Sequence, residues 1–148
     1  MPSRPLKVLI VEDEAVLAMD LEFLLEEAGH EVVGWATCLK EADQLIEQGA
    51  ADLALVDVHL TDGITGVTVA DHIRRANDEA LVVFMTANPK LIPKDFVGAV
   101  GVIAKPYTVN GLHAALRYLE QGIAMPPPKL KVPTGLTLAP DYLSRWMP

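Results

Sequence analysis

The chain predicts an α/β fold: a doubly wound, five-stranded parallel sheet built from (βα)₅ units. Three observations carry that expectation. Apolar runs of four or five residues recur five times. Segments with helical spacing separate them. Polar side chains of matched chemistry stand where four of those runs stop.

The first run, residues 8–11, is continuously apolar, as a strand buried on both faces must be. It stops in Glu12, Asp13 and Glu14. Residues 14–28 follow with helical spacing. Val16, Leu17, Met19, Leu21, Leu24 and Leu25 form a broad apolar face, Glu22, Glu26 and Glu27 lie outside it, and Gly29 ends the helix. Residues 32–36, 53–56, 81–85 and 100–104 repeat the strand texture, and residues 39–48, 67–76 and 109–121 the helical one. Right-handed crossovers between such strands place helices on both faces of the sheet. The fourth connection differs, because Pro89 and Pro93 deny it a continuous helix. A short or displaced turn is expected there.

After Gly122 the texture changes. Residues 123–148 form a proline-rich tail, too short for a folded output domain. Prolines 126–128 predict a stiff, extended spacer. Leu138, Tyr142, Leu143 and Trp146 predict an ordered docking element, with Pro140 suited to the first turn of a short helix.

At 148 residues the chain is long enough for one domain with its own core. No apolar run approaches the ~20 residues that span a bilayer. The segment MPSRPLK is too short and polar for a secretory signal. A lone cysteine, Cys38, fits a reducing cytoplasm and reads as a small buried hydrophobe. The net charge is −8, with 3 basic and 14 acidic residues in 1–62. Without a basic footprint, nucleic-acid binding is not expected.

In parallel α/β sheets, ligands bind outside the carboxyl ends of the strands. Strand one ends in Glu12 and Asp13, strand three in Asp57, strand four in Thr86 and strand five in Lys105. Singly, each has an ordinary explanation: a helix cap, a turn, a surface lysine. Together they suit one chemistry. Hard carboxylate oxygens match Mg²⁺, with Asp13 and Asp57 as ligands and Glu12 reaching directly or through water. A carboxylate beside that cation can attack a phosphoryl group, while the Thr86 hydroxyl and Lys105 ammonium take its equatorial oxygens.

This ordered set, Glu12-Asp13, Asp57, Thr86 and Lys105-Pro106, resembles the receiver domain of two-component response regulators over about residues 5–122. The resemblance implies a flavodoxin-like sheet of order 2-1-3-4-5. It implies Asp57 as phosphoacceptor from a sensor histidine kinase or histidine phosphotransfer protein. Glu12, Asp13, Asp57 and the backbone carbonyl of His59 would hold Mg²⁺, with the His59 imidazole at the pocket mouth. The expected product is a cytoplasmic, stand-alone regulator, not an enzyme beyond its own phosphotransfer and dephosphorylation. It would act on a downstream protein or drain phosphate from a kinase, with a homodimer left open. Two positions depart from the usual pattern: Val102 stands where an aromatic switch residue is common, and Thr61 where proline is common. Phe84 and Thr86 also match part of the FATG motif of an atypical alphaproteobacterial branch, whereas Met85 and Ala87 do not.

Two other functions compete. Haloacid-dehalogenase-type phosphatases also use a strand-end aspartate, Mg²⁺, a hydroxyl and a lysine. They need an acid two residues after the nucleophile, where this chain has His59, and they lack the strand-one acids. A non-phosphorylated binding module would not need Asp57, Thr86 and Lys105 intact.

Overall fold

The computed structural model describes residues 5–49 and 51–147. The first four residues of the MPSRPLK segment lie outside the described residues.

Strands β1 (Lys7–Val11), β2 (Glu31–Ala36), β3 (Leu53–Asp57), β4 (Leu81–Thr86) and β5 (Gly101–Ala104) alternate with helices α1 (Ala15–Glu27), α2 (Leu39–Gln48), α3 (Gly66–Ala76) and α4 (Val109–Ala124). The first five strands are parallel, in the expected order 2-1-3-4-5. Every residue of β3 and β4 is buried, which is why those runs carry no alternation. One core layer packs α1 and α4 on the sheet through residues such as Val8, Ile10, Leu25, Leu55 and Leu116. The other packs α2 and α3 through Leu9, Val11, Val56, Val69 and Phe84.

Helix α1 buries only part of the face that the sequence suggested: Leu21, Leu24 and Leu25 point inward, as does Ala18, while Val16 and Met19 are mostly exposed, as is Phe23. Buried 18, 21 and 25 fall on one stripe at helical spacing; 16, 19 and 23 form a second, turned to solvent. Cys38 is half-buried rather than fully buried.

The fourth connection holds only two short 3₁₀ turns, Pro89–Leu91 and Phe96–Gly98. Phe96 (φ 56°) and Val97 (φ 51°) both adopt left-handed backbone. For side chains with a Cβ that region costs roughly 1–2 kcal/mol per residue. Arg74 from α3 donates to the Gly98 carbonyl and holds the far end of the segment.

The tail belongs to the fold. It adds a sixth strand, β6 (Leu136–Leu138), antiparallel to β5, and a helix, α5 (Pro140–Trp146). Prolines 126–128 are not an extended spacer: the chain bends there, and Gln121 of α4 accepts the Lys129 and Leu130 N–H groups and draws it back. Leu136, Leu138, Tyr142 and Trp146 join the α1–α4 core layer. The Trp146 ring meets Tyr118 and Tyr142 edge-on, with centroids 5.7 and 5.0 Å away. Two glycines make room. A Cβ on Gly101 would lie 2.2 Å from the Thr137 carbonyl oxygen, and one on Gly122 would lie 2.5 Å from the Trp146 ring.

Trp146→Ala should therefore cost about 3–5 kcal/mol, the range for emptying a buried aromatic site. Chemical denaturation checks it; a loss below about 1 kcal/mol would mean that the tail does not contribute to the core.

Candidate functional site

The acids after β1 do not cap α1. Glu14 occupies the N-cap position without a side-chain cap bond, and no acid lies in the first turn. Glu12 instead turns into the sheet end and is 4 % exposed. Its main chain is held by β2: its N–H donates to the Ala36 carbonyl at 2.9 Å, and its carbonyl accepts from the Trp35 indole Nε1–H at 2.7 Å.

Asp57, also buried, ends β3. Its Oδ1 accepts the His59 N–H at 3.1 Å. Lys105, one residue beyond β5, donates from Nζ to Asp57 Oδ2 at 2.8 Å and to Glu12 Oε2 at 3.0 Å. The Lys105–Pro106 peptide is cis. A single ammonium thus bridges the carboxylates of two strands. The Lys105 N–H also donates to the Thr86 carbonyl at 3.0 Å, tying the β5 end to β4.

Carboxylate oxygens of Glu12, Asp13 and Asp57 all lie within 4.8 Å of one another. Burial pushes the Glu12 carboxyl up to about 7, aided by its hydrogen bond with Asp57 and opposed by Lys105. Burial alone would lower the Lys105 pKa, but the bonds to Asp57 and Glu12 overcome that and raise it. Three carboxylates served by one cation leave net negative charge in a partly dry site. The half-buried Asp13 carboxylate has no hydrogen bond or ion pair among the described residues. The donor set therefore fits a small, hard divalent cation.

Thr86 is buried at the end of β4, and its hydroxyl accepts the Asn88 N–H at 3.0 Å rather than bonding Asp57 or Lys105. His59 adjoins Asp57 through its main chain while the residue itself is exposed. Two site neighbours carry no signal by residue type alone: Trp35, and Tyr107, which lines a cavity of about 10 Å³ with Glu12, Asp57 and Lys105. The position of Tyr107 two residues after Lys105 was the available clue.

A buried strand-end aspartate is thus bridged by lysine to an acid of the neighbouring strand and flanked by a second acid that has no partner among the described residues. The chain belongs to the response regulator receiver domain family, whose model matches residues 8–117. Among curated relatives it is 34 % identical over 112 residues to the phyllosphere-induced regulator PhyR of Methylorubrum extorquens, covering 74 % of this chain and 42 % of that protein. It is 35 % identical over 114 residues to the transcriptional regulatory protein PdtaR of Mycobacterium tuberculosis, covering 76 % and 55 %. The chain thus spans about half the length of these relatives. The solution structure of the Erythrobacter litoralis PhyR receiver domain superposes with a TM-score of 0.71 at 25 % identity, covering 85 % of this chain and 97 % of that one. The structure of PhyR from Bartonella quintana, described as an anti-anti-sigma factor, gives 0.65 at 31 % identity over 81 % and 48 %. Among the described residues, no helix is long and apolar enough to cross a membrane.

The elevated Glu12 pKa predicts how metal and pH interact. Between about pH 4.5 and 7 the folded chain holds a proton on Glu12 that the unfolded chain has released. Metal-free stability should be highest below that window and fall as pH rises through it. Mg²⁺ should restore it, by about 2.7 kcal/mol at ~100 times Kd. Melting curves in EDTA and in Mg²⁺ test this: Glu12→Gln should flatten the EDTA profile, and Asp13→Ala should shrink the Mg²⁺ increment.

Proposed function

We propose that Asp57 accepts a phosphoryl group, in a Mg²⁺-dependent reaction, from a sensor histidine kinase or histidine phosphotransfer protein. The chain then acts in the cytoplasm by binding a downstream protein or by draining phosphate from the kinase. The observation that carries this reading is the Lys105 ammonium 2.8 Å from Asp57 Oδ2. It is a charge already placed where negative charge will build.

One Asp57 oxygen bonds to phosphorus as the phosphorus–nitrogen bond of a donor phosphohistidine breaks. The bonding pair leaves with the imidazole, whose other nitrogen carries the proton. A bound Mg²⁺ supplies Lewis-acid neutralisation of the phosphoryl oxygens. Lys105 exchanges its contact with Asp57 for a phosphoryl oxygen and keeps Glu12 as its anchor. Asp13, which has no partner among the described residues, Asp57 and Glu12 are the residues that would hold the cation, with the His59 carbonyl as a further ligand. The contact between Lys105 and a strand-one acid separates this site from that of a haloacid-dehalogenase-type phosphatase. Exposed Val16, Met19 and Phe23 on α1, with Ile64 and Val109, offer apolar surface on elements that adjoin the site. A helical phosphodonor could seat there.

Acetyl phosphate with Mg²⁺ should add one acid-labile phosphoryl group per chain, read by intact mass. Asp57→Asn should remove it; equal labelling of that variant would refute the assignment.

Signalling is proposed to pass through residues 87–98. The Thr86 hydroxyl oxygen accepts the Asn88 N–H, and its own O–H is available to donate to a phosphoryl oxygen on Asp57, which would draw the side chain toward that group. Val102, 5 % exposed, has no ring to move into the space that Thr86 would vacate. Motion at Thr86 is therefore passed to the segment covalently next, whose left-handed Phe96 and Val97 make its present arrangement costly. Hydrogen exchange with and without beryllofluoride should differ over 88–98. Identical exchange there, with a response elsewhere, would exclude this route.

A further inference from the structure

The β1–β2 pairing is irregular. Val8 pairs with Val32 but Leu9 pairs with Gly34, so Val33 is an extra residue in β2. An inserted residue reverses which face every later side chain meets. The packing shows that reversal. Val32 packs on the α1–α4 layer, as does Val8. Two residues on, regular alternation would put Gly34 on the same layer. A Cβ there would instead meet Leu45 of α2, and Ala36 lies in the α2–α3 layer. Trp35, paired with Ile10, is thereby turned to the α1 side. There its indole Nε1–H reaches the Glu12 carbonyl at 2.7 Å.

That bond is an unusual use of the side chain. Trp35 is 42 % exposed, so burial does not oblige its N–H to find a protein acceptor. The acceptor is the carbonyl of the peptide that joins Glu12 to Asp13. The N–H of Glu12 is already fixed by Ala36, so the indole closes the second main-chain hydrogen bond at this residue. Glu12 is thus held from β2 on both sides of its Cα, the Val11–Glu12 peptide by Ala36 and the Glu12–Asp13 peptide by the indole, which restrains the swing of that second plane. Asp13 follows it directly and, among the described residues, has no side-chain bond of its own to orient it.

We infer that Trp35, turned inward by the Val33 bulge, is a positioning residue that locks the Glu12–Asp13 peptide and so preorganises the acids for the divalent cation. This rests on reading Glu12, Asp13 and Asp57 as the cation site. It adds to that site a side chain that touches neither metal nor phosphoryl group. Losing one such neutral hydrogen bond corresponds to about a five- to tenfold weaker cation affinity.

The test uses the full chain, with Mg²⁺ alone as ligand. Calorimetric titration gives Kd, and melting in EDTA gives metal-free stability. Trp35→Phe keeps most of the ring and removes the donor. It should raise the Mg²⁺ Kd about five- to tenfold while its melting temperature in EDTA stays near that of wild type. An unchanged Kd in this variant, with Mg²⁺ binding intact in wild type, overturns the positioning role and leaves the cation site standing. No Mg²⁺ binding by wild type overturns both. Should Trp35→Phe not fold, the wild-type indole proton decides, its resonance assigned by comparison with Trp146→Phe. Slow solvent exchange despite the half-exposed ring supports the lock. Exchange at the rate of free indole overturns it.

Discussion

Three carboxylates within 4.8 Å of one another are the constraint around which this molecule is arranged. Like charges so close, with two of them buried, destabilise a fold unless opposite charge is brought to them. The sheet order brings it. β1 and β3 are neighbours, which juxtaposes Glu12 and Asp57, and β5 lies one strand beyond β4. Lys105 therefore has to reach past the end of β4, and the bond from its N–H to the Thr86 carbonyl sets where that reach begins. A long, flexible ammonium is suited to this task because it can keep Glu12 while releasing Asp57. Under the proposed phosphotransfer, the same geometry that relieves repulsion in the resting site leaves Asp57 available to react.

The strand that launches Lys105 would be an edge strand without the tail. β6 pairs along it, and α5 inserts Trp146 beside Gly122 and Tyr118 of α4. β5 therefore has hydrogen-bonded neighbours on both sides, and α4, which follows Lys105 directly, gains a packed partner. Residues 136–146 act at a distance from the acids, but they restrain both elements that flank the lysine.

Much of this was legible because strand and helix periods differ and because parallel strands collect their polar ends at one rim. Asp57, Lys105 and Glu12 each follow an apolar run, so position alone marked them. Pro89 and Pro93 announced the broken fourth connection. The missing parts depend on information that periodicity does not hold. Apolar residues at 16 and 19 were assigned inward because a helix with apolar residues on two stripes does not declare which one is buried. The three-proline stretch read as an extended spacer because its reversal depends on Gln121, whose side chain becomes an acceptor only once α4 is in place. Antiparallel β6 has three residues, too few for a recognisable alternation. Trp35 was missed as a site neighbour because a bulge at Val33 changes its face, and Gly34 beside that bulge was the one mark of it in the sequence.

The two rims of the sheet bear on how copies of this molecule can meet. β6 offers only three residues of open backbone, with Pro133 before it and Pro140 after it. β2 is longer but bulged at its third residue and begins with Glu31. Short length, prolines, bulges and charge all make a strand a poor template for another chain. Ribbon-to-ribbon stacking, the common route from a soluble α/β sheet to insoluble aggregate, is blunted at both sides, and self-association is left to the helical faces.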